Sequence, residues 1–311
     1  PEIADAHLNE GLILQQTGHT EDAIPCYRKV AELVPDNSQV HHLVGLACHE
    51  VGELEEALKA YEIALALDPA FTAARFNAGV ASQGLSLWEK AEEYYRQAAA
   101  ADPTNLGAHA NLGIVLRQMG RFEEAVEAFL EAENLMPDNP EVLMQLGMAL
   151  MDLGQIGPAE EKLQHALRLH GEDGGAEAHY SMGVIRQRAG LLEEAANCYR
   201  KAVVANPDLS EAHLQLGTVL RDLGHFAEAV SEMKAAVQLS GNPAHRLKLV
   251  LAVPTIAESS EETAAIREGL ETALAAMQRS DLTIDDPLRG VGWTNFYLAY
   301  HGCNDRALQE S

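Results

Sequence analysis

The sequence predicts an all-α fold, an α-solenoid of seven helical hairpins with a C-terminal helical cap, and three observations carry that prediction. Glycines recur at Gly11, Gly45, Gly79, Gly113, Gly147, Gly183 and Gly217, a spacing of 34 residues broken once by 36. Alanine follows each by twelve residues, at Ala23, Ala57, Ala91, Ala125, Ala159, Ala195 and Ala229, and a large residue comes four later: Tyr27, Tyr61, Tyr95, Phe129, Leu163, Tyr199 and Met233. Proline closes most units, at Pro35, Pro69, Pro103, Pro137 and Pro207. A fixed period of this size marks stacked supersecondary units, each too small to bury its own apolar face.

The first unit, residues 4–37, sets the pattern. Gly11 and Ala23 read as the contact between its two helices, since small side chains let helix axes approach to the usual ~8–10 Å. Gly18 supplies the left-handed residue that ends the first helix, and Pro35 stands where the second cannot continue. Pro25, early in the second helix, removes an internal hydrogen bond and predicts local fraying. Units 38–71, 72–105 and 106–139 repeat the scheme, with Gly52 and Gly120 between helices and Ser86 in that place in the third unit. Unit 140–173 closes on Gly171, and the run Gly171-Glu172-Asp173-Gly174-Gly175 holds the two-residue insertion, read as a plain loop. Units 176–209 and 210–243 follow, the last closing on Gly241.

After residue 243 the period stops, and 244–311 is read as a helical cap and a connector to a further domain. Pro254 interrupts what begins as an eighth first helix, Ser259-x-x-Glu262 forms a capping box, and Ile266, Leu270, Leu274 and Met277 make an apolar stripe at helical spacing. A loop from Asp281 to Gly292 leads to a short apolar helix from Trp293 to Tyr300. The aromatic-rich tail is expected to dock a second copy, giving self-association. The chain opens at Pro1 and stops at Ser311 inside what reads as a new helix, so a fragment is expected.

Composition narrows the function. Lys and Arg number 22 against 47 Asp and Glu, a net charge of -25, with aromatics at 5%. Affinity for phosphate backbones needs clustered Lys and Arg, and base stacking needs aromatic surface, so nucleic acid and anionic membranes are disfavoured. The acidity either keeps a helical surface soluble or faces a basic partner. No segment is apolar over the 18 residues a membrane span needs, which excludes membrane insertion. Cys26, Cys48, Cys198 and Cys303 lie far apart without a CxxC pair, which suits a reducing compartment and a cytoplasmic setting.

Catalytic and metal templates fail. No G-x-S-x-G, G-x-x-x-x-G-K-[ST] or G-x-G-x-x-G pattern occurs, and nothing reads as a strand. Histidine recurs at the fourth position of the units, at His7, His41, His109, His179 and His213. Equivalent positions in stacked hairpins are roughly 10 Å apart, whereas zinc ligands sit about 2 Å from a shared ion, so these read as packing residues. His301 and Cys303 flank a helix stop at Gly302 rather than forming a catalytic pair. The chain is read as non-enzymatic, with no catalytic residue, no metal and no cofactor.

A groove remains. At about 100° per residue, unit positions 2, 5, 6, 9, 12 and 13 of the first helices share the face away from the buried Leu-Gly side. Position 6 holds Asn9, Leu43, Asn77, Asn111, Gln145, Ser181 and Gln215. An amide offers donor and acceptor together, so a ladder of amides can pair with the backbone of an extended peptide whatever its sequence. Arg117, Arg188 and Arg221 flank the ladder, as do Glu50, Glu141, Asp152, Glu177, Glu211 and Asp222, and no lysine occupies a groove position. Replacing Asn77 and Asn111 by Ala is expected to weaken peptide binding with little effect on melting.

The period and its residues resemble the tetratricopeptide repeat family, shown best by the fourth unit with His109, Leu112-Gly113, Leu116, Gly120, Ala125, Phe129 and Pro137. The resemblance implies a right-handed superhelix of hairpins whose first helices line a concave, protein-binding surface. The absence of lysine from the groove sets it apart from the dicarboxylate-clamp members that grip chaperone tails. The amide row resembles the asparagine ladder of O-linked N-acetylglucosamine transferases, with Leu43 and Ser181 as gaps. Pro254-Thr255-Ile256, Arg267, Asn295-Phe296-Tyr297-Leu298-Ala299-Tyr300-His301 and Asn304-Asp305-Arg306 resemble the connector of bacterial repeat proteins related to that transferase and to SPINDLY. This implies the substrate-recognition arm of a glycosyltransferase whose catalytic lobes are absent from the chain. The alternative is a non-enzymatic scaffold or assembly protein.

Overall fold

The computed structural model describes residues 2–170 and 175–250, all of whose regular elements are α-helices. Two compact bodies divide the chain, residues 1–162 and residues from 163 onward, with the division inside a helix. The first contains α1 (Glu2–Gln16), α2 (Thr20–Leu33), α3 (Ser38–Glu50), α4 (Leu54–Leu67), α5 (Thr72–Gly84), α6 (Trp88–Ala101), α7 (Leu106–Gln118), α8 (Phe122–Leu135), α9 (Pro140–Asp152) and the start of α10 (Ile156–His170). The second contains the rest of α10, then α11 (Ala176–Arg188), α12 (Leu192–Ala205), α13 (Ser210–Asp222), α14 (Phe226–Ser240) and α15 (Pro243–Val250). Within each body, helices pair as hairpins and stack in chain order, the solenoid arrangement that the 34-residue period predicts.

Five of the hairpins are closed by a ring, and Leu163 and Met233 stand in its place in the other two. The side chains of Tyr27, Tyr61, Tyr95, Phe129 and Tyr199 are fully buried, and each lies against the glycine sixteen residues before it. A methyl added at Gly79 stands 2.7 Å from the Tyr95 ring, and one at Gly113 stands 2.8 Å from Phe129. In these five hairpins the glycine therefore makes room for an aromatic ring rather than for the alanine that sequence spacing pairs it with, whereas a methyl at Gly217 would meet Met233 and the Ala229 carbonyl. Alanines such as Ala91 and Ala125 are also fully buried and let the second helix come close.

Turns follow their backbone requirements. Gly18, Gly52 and Gly120 sit at φ 81°, 84° and 74°, the left-handed values that end a first helix. Ser86 takes the same place at φ 57° despite its side chain. Asn37, Asn105 and Asn139 cap α3, α7 and α9, accepting hydrogen bonds from backbone N–H groups of the first turn. Second helices start on acidic pairs, such as Glu55 and Glu56 or Glu123 and Glu124, which suit the positive end of the helix dipole.

The fraying expected at Pro25 does not occur. Helix α2 runs unbroken through it, and Glu21, whose carbonyl loses its partner, is exposed and open to water. The insertion at 171–174, the capping helix, the connector and the tail expected to self-associate lie outside the described residues. Helix α15 is described; its His245 is buried, with Nδ1 2.7 Å from Ser240 Oγ at the end of α14.

Candidate functional site

The groove is built from the first helices of the hairpins. In the first body these are α1, α3, α5, α7 and α9, and neighbours among α3, α5, α7 and α9 approach to Cα distances within 8 Å. Their buried stripes hold small and aliphatic residues, such as Ala74, Ala78 and Ala81 on α5 or Leu112, Val115 and Leu116 on α7. That burial turns the opposite stripe outward.

On that stripe the amides differ in setting. Asn9 is exposed. Asn77 is half-buried and donates through Nδ2 to His42 Nε2 at 3.0 Å. An amide nitrogen can only donate, so this His42 nitrogen is an acceptor and the ring is neutral. Burial acts the same way, holding the His42 pKa below its usual value. Asn111 donates through Nδ2 to Tyr95 Oη at 3.3 Å, and Tyr95 in turn donates to Gln83 Oε1 at 2.8 Å. Leu43 interrupts the row, half-buried against the core.

Gln145 belongs to a charged cluster. Its Oε1 accepts from Arg117 Nη1 at 3.3 Å, and its Nε2 donates to Glu141 Oε1 at 3.1 Å. Arg117 also holds Asp152 Oδ2 at 2.8 Å, each side chain about 26% exposed, so this arginine ties α7 to α9. A similar tie joins α1 to α3, where Gln15 Nε2 donates to Glu50 Oε2 at 2.9 Å.

The second body shows the same positions by themselves. Gln215 donates to Glu211 Oε1 at 3.4 Å, and Arg221 pairs with Asp222 at 2.6 Å. The Tyr180 and Tyr199 rings lie 5.7 Å apart, and burial pushes the Tyr180 hydroxyl up to about 12, with Glu211 adding to the shift. Ser181, counted on the groove face by its position, is instead 1% exposed with its hydroxyl in the core. The structure thus brings Asn77, Asn111, Gln145 and Arg117 into one first-helix surface, with Asn9 on the same body, and places Gln215 and Arg221 on the other.

The recurrent histidines have a role that spacing did not reveal. His41, His109 and His213 donate from Nε2 to the carbonyls of Pro35, Pro103 and Pro207, at 2.8, 3.2 and 3.0 Å. Arg75 reaches the Pro69 carbonyl in the same way. Each side chain latches its helix to the proline six residues earlier that ended the previous unit. The packing role read for this position is therefore a hydrogen bond to a backbone carbonyl just past the end of the preceding helix. Among the described residues no three His, Cys, Asp or Glu side chains gather as a metal would require, and no helix is long and apolar enough to cross a membrane.

Two hollows lie on the other side, between second helices. One of about 470 Å³ is lined by Arg28, His41, Cys48 and Lys59, and one of about 500 Å³ by Arg96, His109, Leu116 and Glu127. They are equivalent, 68 residues apart. Their rim charges pair among themselves, as in Lys59 with Glu56 and Arg96 with Glu124, so the first-helix surface is the stronger candidate.

These features define a helical-hairpin repeat protein whose first helices carry a row of polar side chains. Residues 3–176 match the family model described as the Cilia and flagella-associated protein 70 C-terminal domain, and residues 144–210 and 180–244 match the tetratricopeptide repeat model. The chain belongs to the tetratricopeptide repeat family, and over residues 3–176 to the group that the first model describes. No curated protein sequence matches it.

Solved structures share the fold. The structure titled APC/C hetero-tetramer Cut9-Hcn1 matches with a TM-score of 0.63 and 20% identity, over 93% of this chain and 55% of that one. The MamA protein matches with a TM-score of 0.53 and 22% identity, over 54% of this chain and 92% of that one. PilF of Pseudomonas aeruginosa matches with a TM-score of 0.54 and 23% identity, over 66% of this chain and 93% of that one.

Proposed function

We propose that this repeat scaffold binds an extended protein segment along its first helices, reading the segment's backbone through side-chain amides. The observation that carries the reading is the row Asn9, Asn77, Asn111 and Gln145 at one unit position on α1, α5, α7 and α9. Asn77 and Asn111 engage internal partners through Nδ2, which orients each side chain; the role assigned to Oδ1 is to accept from an N–H of the segment. Arg117 and, on the second body, Gln215 and Arg221 are assigned supporting polar contacts. No chemistry is assigned to this chain.

A peptide array tests the reading, with the double variant Asn77→Ala, Asn111→Ala. Two net hydrogen bonds amount to about 1–3 kcal/mol, so affinity should fall by about tenfold. Unchanged affinity removes the amides from the site. Because both asparagines also bond within the protein, the double variant should lose some stability, unlike the near-silent effect that their exposure in sequence suggests. Binding is therefore compared well below both melting temperatures.

A finer reading makes this groove the substrate-recognition arm of a glycosyltransferase. It rests on the amide row together with the strings Pro254-Thr255-Ile256 and Asn295 to Arg306. Reading the gene past Ser311 tests it: two nucleotide-sugar-binding lobes support it, and a stop codon or further repeats sink it in favour of a scaffold with no enzyme attached.

A further inference from the structure

Resting on the backbone-reading groove just proposed, we infer the class of segment it takes: an extended, polyproline-type stretch with an apolar side chain at every third residue and Lys or Arg between.

The groove has a second row. In the first body, position 9 of the first helices carries Leu12, Leu46, Val80, Ile114 and Met148, every one aliphatic or thioether and every one half-buried. Leu12 and Leu46 rest on the core with one face, leaving the other outward. At about 100° per residue, position 9 lies within ~20° of position 2 and ~40° of position 13, so it occupies the middle of the outward stripe. The amide row lies one turn away. In the first body each first helix therefore presents an apolar centre and polar ends, with an amide beside the centre on every one but α3.

Spacing selects the ligand's period. Neighbouring first helices from α3 to α9 come within 8 Å at their closest Cα atoms, which fits interaxial distances of about 8–10 Å. An extended chain crossing them advances about 3.1–3.4 Å per residue, so roughly three residues carry it from one helix to the next. A strand alternates faces every second residue and would turn each successive third-residue side chain away. A polyproline-type helix has about three residues per turn, so side chains i, i+3 and i+6 point the same way and meet Leu46, Val80 and Ile114 in turn.

Charge selects the remaining residues. In the first body the polar ends carry Asp5, Glu50, Glu141 and Asp152, while the one guanidinium on this stripe there, Arg117, is held by Asp152 at 2.8 Å. The surface left for a ligand is acidic, which suits Lys or Arg at the positions that flank each apolar side chain.

The test uses the full 311-residue chain and three synthetic peptides of equal length, measured by calorimetry. The first has Leu at every third residue with Lys and Pro between, the second the same residues reordered so that successive Leu stand two apart over part of its length, and the third the first with Glu for Lys. The first should bind at least about tenfold more tightly than the others, and Val80→Thr with Ile114→Thr should weaken it by about fivefold. Equal binding of the first two peptides overturns the period while leaving backbone reading intact. Tighter binding of the Glu peptide overturns the charge assignment. Absence of binding by all three removes the groove reading beneath the inference. Should the threonine pair unfold, Glu50→Gln with Glu141→Gln serves instead: it should weaken the first peptide and flatten its salt dependence, and an unchanged affinity overturns the inference.

Discussion

Tyr95 Oη donates to Gln83 Oε1 at 2.8 Å, linking the second helix of a hairpin to the end of its first across twelve residues. Tyr27 with Gln15 and Tyr199 with Gln187 repeat the bond at 2.9 and 2.7 Å. Where the ring position lacks a hydroxyl, the residue twelve earlier is not glutamine: Phe129 goes with Arg117, Leu163 with Met151, and Met233 with Arg221. Tyr61 breaks the rule, because His49 stands twelve before it and its hydroxyl is buried without a partner among the described residues.

Removing these hydroxyls should have opposite effects. Tyr95→Phe should cost about 0.5–1.5 kcal/mol, the net worth of a hydrogen bond, whereas Tyr61→Phe should be neutral or stabilising because it removes an unsatisfied polar group. Urea denaturation of both variants checks this. Equal losses would show that Tyr61 is as well bonded as Tyr95.

Ser86→Gly should stabilise the first body by about 0.5–1 kcal/mol, because a side chain in the left-handed region costs roughly 1–2 kcal/mol, part of which glycine's extra freedom returns. Gly52→Ser is the converse and should destabilise. At about 2–4 °C per kcal/mol, calorimetry resolves both.

Gly113→Ala should destabilise by about 1–3 kcal/mol through overpacking, since its methyl lands 2.8 Å from the Phe129 ring. Combining it with Phe129→Leu should cost less than the sum of the two single losses, as residues in direct contact are not additive. Additive losses would mean that the methyl clashes elsewhere.

Stability should fall as pH drops from 7 towards 5. Burial holds the His42 and His179 pKa values below the unfolded value of about 6.5, so the folded chain binds fewer protons than the unfolded one in this window. His42→Phe should make the fall in melting temperature shallower. An identical slope would place the pH dependence on other groups. Carboxylates held low by cationic neighbours, such as Glu124 beside Arg121 and Arg96, act only below about pH 4.5.

Most of the architecture is legible in the sequence, because each hairpin is specified by residues with few alternatives: a glycine under a ring, a left-handed turn and a proline stop. Less legible is what touches what. The glycine and alanine spacing suggests that they meet, but the ring between them occupies the space that Gly113 leaves. The position-4 histidines look like packing wedges because their partner, a proline carbonyl, has no sequence signature of its own. Pro25 looks disruptive because sequence does not show that Glu21 faces water. Ser181 shows the limit for the groove itself, as helical geometry assigns its face but the packing of neighbouring hairpins decides whether that face is open.

The histidine latch also bears on how the chain reaches its native state. His41 closes onto Pro35 from the next hairpin, so the end of one unit is completed only after the following helix has formed. During synthesis the growing chain would secure its junctions one behind the hairpin most recently released, at Pro35, then Pro69, then Pro103. Folding order would then follow the direction of translation, with each new first helix acting as the clasp for the unit before it.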